Sequence, residues 1–316
     1  MNLAELKNRQ SWSLQQKIDH SLYVIETFLS RTEGQCYVAF SGGKDSTVLL
    51  DLVRIIDKSI PAVFVNTGNE YPEIVYFVRH LKNKGYNIVE LHPQMTPRQV
   101  WERYGFPLVS KACAEYVDRF RKNPEYAVRQ QRKAEERGWS FGKVSERWKY
   151  LITEPYSTSN ECCTILKKNP SKRYAKETGR SPILGTMASE SDLRRNEYIR
   201  RGGCNTFGEG YGGIRSTPLA IWMDDDIWGY IRKRNIEIAD VYYKGATRTG
   251  CVGCGFGCYA KNDNRFCLLY RLHPKYYDMV MSYTNNGQVY KDAIRKVMAV
   301  TGKELPDESG ELLFPL

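Results

Sequence analysis

Apolar positions in the first half of the chain follow two periods, one helical and one typical of buried strands. Residues 12–31 carry apolar side chains at helical spacing, which predicts an amphipathic helix. Helical patterns also run from Ser46 to about Ile56 and onward from Pro72. Short apolar runs predict buried strands at 36–40, 62–65, 87–91 and 182–184. This alternation predicts an α/β fold, with a Rossmann-like parallel sheet covered by helices on both faces.

Two other segments interrupt the alternation. Between Asp118 and Leu151 the chain has ten Lys or Arg against five Asp or Glu, and we predict a basic, mostly helical insertion over about 112–150. The aromatic residues interleaved there are Tyr126, Trp139, Phe141, Trp148 and Tyr150. From about Arg215, a helix-like stretch with Trp222 and Trp228 precedes a loop rich in glycine and cysteine. The predicted divisions are an N-terminal helix (1–32), a main domain (33–250), and a cysteine-rich loop with a helical tail (251–316).

Composition adds two features that need an explanation. The 316 residues carry a formal net charge of +11 and nine cysteines. No run of eighteen apolar residues is present, and the first residues lack the apolar core of a signal peptide, so we expect an intracellular, cytoplasmic protein. In a reducing compartment, clustered cysteines indicate metal or redox chemistry more often than disulfides.

The string Ser41-Gly42-Gly43-Lys44-Asp45-Ser46 lies between a predicted strand and a predicted helix. Glycines allow backbone amides to approach phosphate oxygens, and a helix N-terminus supplies partial positive charge. Lys44 is suited to pair with a phosphate, and Ser46 to cap the helix or donate a hydrogen bond. Asp45 fits such a site if it orients Mg²⁺ or the loop. The plainer alternative is a glycine-rich turn with a capping serine.

This string resembles the pyrophosphate loop (PP-loop) of the adenine nucleotide alpha hydrolases, which cleave ATP between its α and β phosphates. Further strings resemble the phosphoadenosine phosphosulfate (PAPS) reductase family: residues 66–73, Glu161-Cys162-Cys163, residues 185–195, and Thr217-Pro218-Leu219 with Trp222. The resemblance covers roughly residues 30–280. It implies a HUP-type sheet, makes 33–250 the nucleotide-binding domain, and gives Lys44 and Asp45 catalytic roles. The nucleotide-binding positions it implies are Ser41, Gly42, Gly43, Lys44, Asp45, Ser46, Thr47, Asn66, Thr67, Gly68, Glu70, Gly185, Glu190, Ser191, Arg194 and Arg195.

The cysteines form two doublets, Cys162-Cys163 and Cys251-Val252-Gly253-Cys254. Four thiolates suit either a [4Fe–4S] cluster or a structural zinc ion, and spacing alone does not choose between them. Resemblance to assimilatory sulfonucleotide reductases and sulfur-inserting enzymes implies the cluster. Cys258 and Cys267 are reserve ligands, while Cys36, Cys113 and Cys204 are expected to be buried thiols without a role. The alternative for residues 251–267 is a set of small buried side chains in a glycine loop.

Two departures from the reductases bear on the chemistry. The reductases carry a catalytic cysteine on a C-terminal tail, whereas no cysteine follows Cys267 here. They also have a degenerate phosphate loop, whereas this chain has the full motif of the ATP-cleaving relatives. A third difference is that the family's Gly-x-Arg is Gly185-Thr186-Met187, so Arg194 or Arg195 is expected to supply the missing anion contact.

Basic residues concentrate in 119–149 and again in 167–180, on either side of the cysteine doublet. Such clusters neutralise phosphates, and the interleaved aromatics of the first are suited to stack bases, so we expect contact with DNA or RNA. The plainer alternative is a solvated basic surface.

Together these features predict an ATP-dependent iron–sulfur enzyme of the adenylyl-transfer or sulfurtransferase type. ATP, Mg²⁺ and a [4Fe–4S] cluster are its expected cofactors, nucleic acid its expected acceptor, and a cysteine desulfurase a possible sulfur donor. The leading alternative is a PAPS or adenosine phosphosulfate (APS) reductase that uses a non-standard thiol. A third hypothesis is a non-catalytic nucleotide-sensing module, which the intact Lys44, Asp45 and Ser46 disfavour.

Overall fold

The computed structural model describes residues 2–139, 142–208 and 213–308. The helices are α1 (Leu3–Gln10), α2 (Leu14–Arg31), α3 (Lys44–Ile56), α4 (Pro72–Asn83), α5 (Pro97–Tyr104), α6 (Lys111–Lys122), α7 (Pro124–Glu136), α8 (Glu161–Cys163), α9 (Asn169–Thr178), α10 (Asp192–Arg201), α11 (Asp224–Arg234), α12 (Arg265–Leu272), α13 (Pro274–Met281) and α14 (Tyr290–Ala299). The strands are β1 (Cys36–Phe40), β2 (Ala62–Val65), β3 (Ile88–Leu91), β4 (Leu108–Val109), β5 (Ser181–Leu184), β6 (Asn205–Thr206), β7 (Arg215–Ser216), β8 (Gly255–Phe256), β9 (Thr284–Asn285) and β10 (Gln288–Val289). Within these ranges, no helix is both long and apolar enough to cross a membrane.

The chain divides into two compact units. Unit 1 contains the residues up to Asn66, Pro72–His92 and Pro170–Arg248. Unit 2 contains Thr67–Tyr71, Pro93–Asn169 and the chain from Thr249 onward. The units have different boundaries from the predicted domains, because residues 93–169 group with the C-terminal segment rather than with the large sheet. Residues 309–316 of the predicted tail lie outside the described residues.

Unit 1 is built on a six-stranded sheet with the order β3-β2-β1-β5-β7-β6. All neighbouring strands are parallel except β6, which runs antiparallel to β7. The predicted mostly parallel, Rossmann-like sheet is therefore confirmed. Its central strand β1 is buried because an apolar run can face helices on both sides of a parallel sheet. Helix α3 returns Val48, Leu49 and Leu52, all fully buried, to this core.

Local signals place most elements of unit 1 but shift some of their ends. Strands β1 and β2 have the predicted bounds. The predicted helix over 12–31 instead starts at Leu14, because Ser13 and Gln16 form a capping box there, and a separate helix α1 precedes it. Trp222 lies just before α11 rather than within it.

Unit 2 brings together helices and short strands from distant parts of the sequence. Strand β4 pairs in parallel with β8, and β9 with β10 forms an antiparallel hairpin. The Asn285 side chain in β9 donates hydrogen bonds to the carbonyls of Trp101 and Glu102, at 2.9 and 2.8 Å. The basic insertion is mostly helical, as predicted, with α6 and α7 followed by a 3₁₀ segment at Glu146–Ile152. Phe141 lies outside the described residues.

The helical path after Cys163 is irregular. Helix α8 passes into a π-helical turn at Thr164–Lys168, which leads directly into α9. π-Turns within helices occur often at functional sites, because the extra residue redirects the side chains around it. This turn begins immediately after the cysteine doublet.

Candidate nucleotide and thiol sites

The phosphate loop joins β1 to α3 in unit 1, at the carboxyl edge of the sheet. Gly42 has φ +73°, and a Cβ there would lie 2.7 Å from Ile74 Cγ2. Glycine is thus required both by the backbone conformation and by the close approach of α4. Gly43 is the N-cap of α3 and makes no side-chain capping bond. The first amides of α3 begin directly beyond it, which is the geometry of a helix-terminal anion site.

The loop hydroxyls stabilise the loop itself. Ser46 Oγ donates to the Gly43 carbonyl at 2.9 Å and accepts from the Ser41 amide at 3.2 Å. Thr47 Oγ1 also donates to the Gly43 carbonyl, at 3.0 Å. Ser46 therefore holds the loop closed instead of capping the helix, which corrects the capping role expected from the sequence. The loop is preorganised by its own side chains.

Lys44 is buried between two carboxylates. Its ammonium contacts Asp45 at 2.9 Å and forms a second, close ion pair with Asp224 at the start of α11. The Lys44 amide donates to the Tyr242 hydroxyl at 2.9 Å, and Trp228 lies 5.8 Å from the ammonium. Burial alone would lower the pKa of Lys44, but the two carboxylates outweigh it and raise that pKa above its ordinary value. Lys44 is therefore a fixed positive charge at the head of α3.

The strings around residues 185–195 lie beside this loop. A Cβ on Gly185 would stand 3.3 Å from the Asp45 carbonyl, so the segment after β5 passes against the start of α3. Glu190 accepts from the Met187 amide at 2.9 Å and forms a close ion pair with Arg194. Burial and the nearby Arg248 lower the pKa of Arg194, while Asp45 acts in the opposite direction.

Ser191 and Arg195 make contacts within and around α10 and none with the phosphate loop among the described residues. Ser191 caps α10 through a bond from the Arg194 amide, and Arg195 pairs with the exposed Asp192 at 2.9 Å. Unit 1 thus brings Ser41–Thr47, Gly185, Glu190 and Arg194 together, while Ser191 serves the helix and Arg195 faces an acidic neighbour.

The predicted nucleotide-binding string 66–70 is divided between the units. Asn66, in unit 1, donates to Glu90 at 2.8 Å. In unit 2, the buried Glu70 carboxylate accepts from the Thr67 amide at 2.9 Å and the Thr67 hydroxyl at 2.7 Å. Gly68 offers its carbonyl to the Tyr276 hydroxyl at 2.9 Å. Thr67, Gly68 and Glu70 therefore form a closed turn within unit 2.

That turn supports the cysteine loop of the same unit. The Val252 amide donates to the Asn69 carbonyl at 2.8 Å, and the Gly253 amide donates to Asn69 Oδ1 at 3.1 Å. Tyr290 secures the other side by donating to the Gly253 carbonyl at 2.8 Å. Asn69 was not among the predicted site residues, and its role in supporting the cysteine loop was not visible in the sequence.

Cys162, Cys163, Cys251 and Cys254, here called the thiol cluster, come close enough in unit 2 to affect one another's ionisation. The Cys162 thiol hydrogen-bonds to Cys163, which raises the pKa of Cys162 and lowers that of Cys163. Lys111, Lys167 and Lys168 lower the pKa of Cys163 further. The negative charge of the doublet therefore resides on Cys163.

The second doublet has a different electrostatic environment. Burial raises the pKa of Cys251, against the opposing effect of Lys167, which hydrogen-bonds to it. Burial likewise raises the pKa of Cys254 to about 12, with Arg265 opposing. Burial outweighs these two cations, so both thiols stay protonated at neutral pH.

The remaining cysteines separate into two groups. Cys258 is buried, with a pKa raised by burial to about 12, and Cys254 and Arg265 influence its ionisation; Cys267 lies in α12 and is partly exposed. Cys36, Cys113 and Cys204 are buried. Among the described residues, no three His, Cys, Asp or Glu side chains are arranged to hold a metal ion. The assignment of metal ligands therefore stays a prediction.

Sequence reasoning missed several side chains. Asp224 belongs to the acidic run Asp224–Asp226 ahead of a helical pattern, a visible signal whose partner lies 180 positions away. Lys167 was counted only as part of a basic stretch. Arg201, a buried arginine of α10, had no local signal.

Comparison with known proteins places this architecture in a family. The model of the phosphoadenosine phosphosulfate reductase domain matches residues 35–122 and 102–255. The adenosine 5′-phosphosulfate reductase of Staphylococcus epidermidis is 23% identical over 235 residues, covering 74% of this chain and 75% of that protein.

Two solved structures are also similar. The PAPS reductase from Candida auris has a TM-score of 0.43 and 13% identity, covering 79% of this chain and 96% of its own. The U34-tRNA thiolase NcsA from Methanococcus maripaludis, with its [4Fe–4S] cluster, has a TM-score of 0.40 and 14% identity, covering 90% and 80%. Because the family model spans more than half of the sequence, this chain belongs to the phosphoadenosine phosphosulfate reductase domain family.

Proposed function

We propose that this protein cleaves ATP to AMP and pyrophosphate, and thereby activates a nucleic-acid acceptor for sulfur insertion. The observation that carries the proposal is the intact loop with its buried, charged Lys44. The loop is a preorganised turn in which only glycine fits at position 42, and Lys44 adds a fixed ammonium at a helix N-terminus. These features are suited to binding a polyphosphate.

The first step is displacement at the α phosphorus. The β and γ phosphates lie on Ser41–Ser46, and Lys44 exchanges its carboxylate partners for phosphate oxygens. An acceptor oxygen attacks the α phosphorus, the bond to the bridging oxygen breaks, and pyrophosphate leaves with the negative charge. Lys44 and the α3 N-terminus stabilise that charge as it develops. Asp45 would hold Mg²⁺, which when bound would neutralise phosphate charge.

The second step replaces the acceptor oxygen. A sulfur donor at the oxidation level of sulfide attacks the activated carbon and AMP leaves. A cysteine desulfurase together with a thiol reductant supplies sulfur of this kind. Arg194, held by Glu190, is placed beside the loop to contact the nucleotide anion where the family's Gly-x-Arg is missing.

The thiol cluster has the donor set of a [4Fe–4S] centre. Four cysteines from two segments influence one another's ionisation, with Lys111, Lys167 and Arg265 acting on them, and four thiolates are what such a cluster takes from a protein. Cys162, Cys163, Cys251 and Cys254 would hold it, with Cys258 in reserve. When bound, it supplies an iron site for sulfur. The basic neighbours stabilise the thiolate forms that ligation requires.

A nucleic-acid acceptor is supported by the basic insertion. Helices α6 and α7 flank a cavity of about 210 Å³ whose wall includes Tyr116, Phe120, Tyr126 and Trp139, with Arg119 at the same site. Arg137 lies 4.9 Å from the Trp139 ring. Aromatic faces combined with guanidinium groups are suited to stacking an unpaired base. Single-stranded or loop nucleotides are therefore the expected acceptors.

The test uses anaerobically purified protein with its iron counted. About four iron atoms per chain are expected for one cluster. Pyrophosphate release is then measured with ATP and pools of transfer RNA, other RNA and DNA. Lys44→Ala should reduce release by about 100-fold or more. The matched control is Lys84→Ala, an exposed lysine of unit 1 paired with Glu237. Iron-loaded protein that neither binds ATP nor releases pyrophosphate with any of these pools contradicts the proposal.

One alternative has an observation in its favour. Several of the similar proteins are named as adenosine 5′-phosphosulfate reductases. Reduction requires a thiolate to attack the sulfate sulfur, and the buried Cys258, with its raised pKa, is poorly suited to that role. Sulfite release from APS or PAPS in the presence of thioredoxin would identify the reductase directly.

A further inference from the structure

A cavity of about 90 Å³ lies within unit 1, beyond the carboxyl ends of the parallel strands β5 and β7. Its wall is formed in part by Thr186 and Met187 after β5, and by Thr217 after β7. Ligands of parallel α/β sheets bind at this edge, because the loops there diverge and leave a crevice. Its volume equals that of a few water molecules at about 30 Å³ each, which also suits a compact five-atom ion.

The charges that line the cavity are mainly positive. Arg194, Arg201 and Arg215 contribute to it, against the single carboxylate of Glu197. Arg215 donates to Glu197 at 3.2 Å, so that carboxylate already has a guanidinium partner. Arg194 is likewise paired with Glu190, so the excess positive charge of the cavity resides on Arg201.

Arg201 is the unusual member of the group. Its side chain is only 5% exposed, and its nearest carboxylate oxygen, on Glu197, stands 3.9 Å from Nε. Nε and Nη1 are buried and make no hydrogen bond to any described residue. Burial lowers the pKa of this guanidinium, with Arg215 contributing and Glu197 opposing. Unpaired buried donors of this kind are costly, and proteins normally satisfy them.

We propose that this cavity is a binding site for a tetrahedral oxyanion, a phosphate or sulfate group, held by Arg201 with Arg194 and Arg215. The planar guanidinium fork matches two oxygens of such an ion at once. Both unpaired Arg201 nitrogens would then have acceptors, and the surplus positive charge would be neutralised. The proposal does not depend on ATP cleavage, because it rests on the three arginines and the cavity, and not on Lys44 or the phosphate loop.

Equilibrium dialysis of nucleotide-free protein against labelled sulfate and labelled phosphate provides the test. Wild-type protein should bind one ion per chain. Arg201→Met keeps much of the side-chain volume but removes the donors, and should weaken binding by about tenfold or more. The matched control is Arg200→Met, the exposed neighbour on the same helix, which should bind as wild type does.

Thermal unfolding separates a binding defect from a folding defect. Without added oxyanion, Arg201→Met should be at least as stable as wild type, because an unpaired buried charge has been removed. Sulfate, compared with chloride at equal ionic strength, should raise the melting temperature of wild type and Arg200→Met more than that of Arg201→Met. If Arg201→Met fails to fold, Arg215→Gln provides the second variant and should also weaken binding.

Addition of ATP distinguishes the two sources of the group. If ATP leaves the labelled ion bound, the site takes a free oxyanion; if ATP displaces it, a phosphate of the nucleotide occupies the cavity. Either result supports the site. No saturable binding of sulfate or phosphate by wild type, or equal binding by Arg201→Met, overturns it. The dialysis contains no acceptor, so failure here leaves pyrophosphate release untouched.

Discussion

The phosphate loop and the thiol cluster differ in how far apart along the chain their parts lie. Residues 41–47 are contiguous, and their glycines, hydroxyls and lysine make the loop from local contacts. The thiol cluster joins Cys162-Cys163 to Cys251 and Cys254 and depends on the turn at Thr67–Glu70 for support. A locally encoded site can be recognised from a short string, whereas an assembled one exists only once the unit has folded.

The two sites also treat positive charge differently. In the loop, Lys44 is already neutralised by Asp45 and Asp224, so a phosphate must displace carboxylates to reach it. In the thiol cluster, Lys167 hydrogen-bonds to Cys251 and opposes the burial that raises the pKa of that thiol. In the loop, an anion can pair with Lys44 only by displacing carboxylates. In the thiol cluster, the lysine favours the thiolate form that metal binding requires.

The largest loss of stability is expected at Gly42, where the phosphate loop packs closely against α4. Gly42→Ala places a methyl group 2.7 Å from Ile74 Cγ2 at φ +73°, which should destabilise unit 1 by about 2–4 kcal/mol. Gly179→Ala is the control, because φ is +69° there but nothing lies within 4 Å of the new methyl. Urea unfolding should show a loss of only about 1–2 kcal/mol for the control. Equal losses would show that packing against α4 does not constrain the loop.

A smaller loss is expected in the assembled site. Asn69→Ala removes the acceptor of the Gly253 amide and leaves that buried donor unpaired, at a cost of about 1–3 kcal/mol. Iron or zinc should leave the protein faster when a chelator is added, while ATP binding to the loop is retained. Tyr270→Phe, a conservative change on α12, is the control. Unchanged metal loss in Asn69→Ala would mean that the turn at 67–70 does not support the cysteine loop.

The smallest effect concerns the exchange of partners at Lys44. Asp224→Asn removes a carboxylate that competes with phosphate for Lys44. Because Asp224 is largely exposed, the gain in ATP affinity should be modest. The KM for ATP should fall by about two- to fivefold, with kcat little changed. Asp225→Asn, its neighbour on the same helix turn, is the control. A rise in KM would assign Asp224 to nucleotide binding instead of competition.

Sequence alone was sufficient for the loop and for the four strands β1, β2, β3 and β5, because their signals are local. Apolar runs fixed β1 and β2, and the glycine-lysine string between β1 and α3 identified the loop. The predicted start of the second helix at residue 12 was two residues early, although the capping box of Ser13 and Gln16 was available as a signal, and helix α1 was not predicted.

Long-range relations could not be found in the same way. Asp224 reaches Lys44 across 180 positions, and Asn69 supports a cysteine loop 184 positions away. Neither contact can be predicted from the spacing of residues along the chain. The grouping of residues 93–169 with the C-terminal segment, to which the pairing of β4 with β8 contributes, likewise has no local signal.

The π-turn at Thr164–Lys168 determines in which direction around the helix axis the side chains after the cysteine doublet point. A π-turn holds one residue more than an α-turn, so deleting one residue there would restore a regular helix and swing Lys167 by about 100° around the axis. The helix would survive such a deletion, but the lysine would no longer face Cys251. Relatives with a one-residue gap at this point should therefore keep the helix but have no lysine beside the second cysteine doublet. A gap there would then indicate that the pKa of the thiol corresponding to Cys251 is not lowered by a lysine.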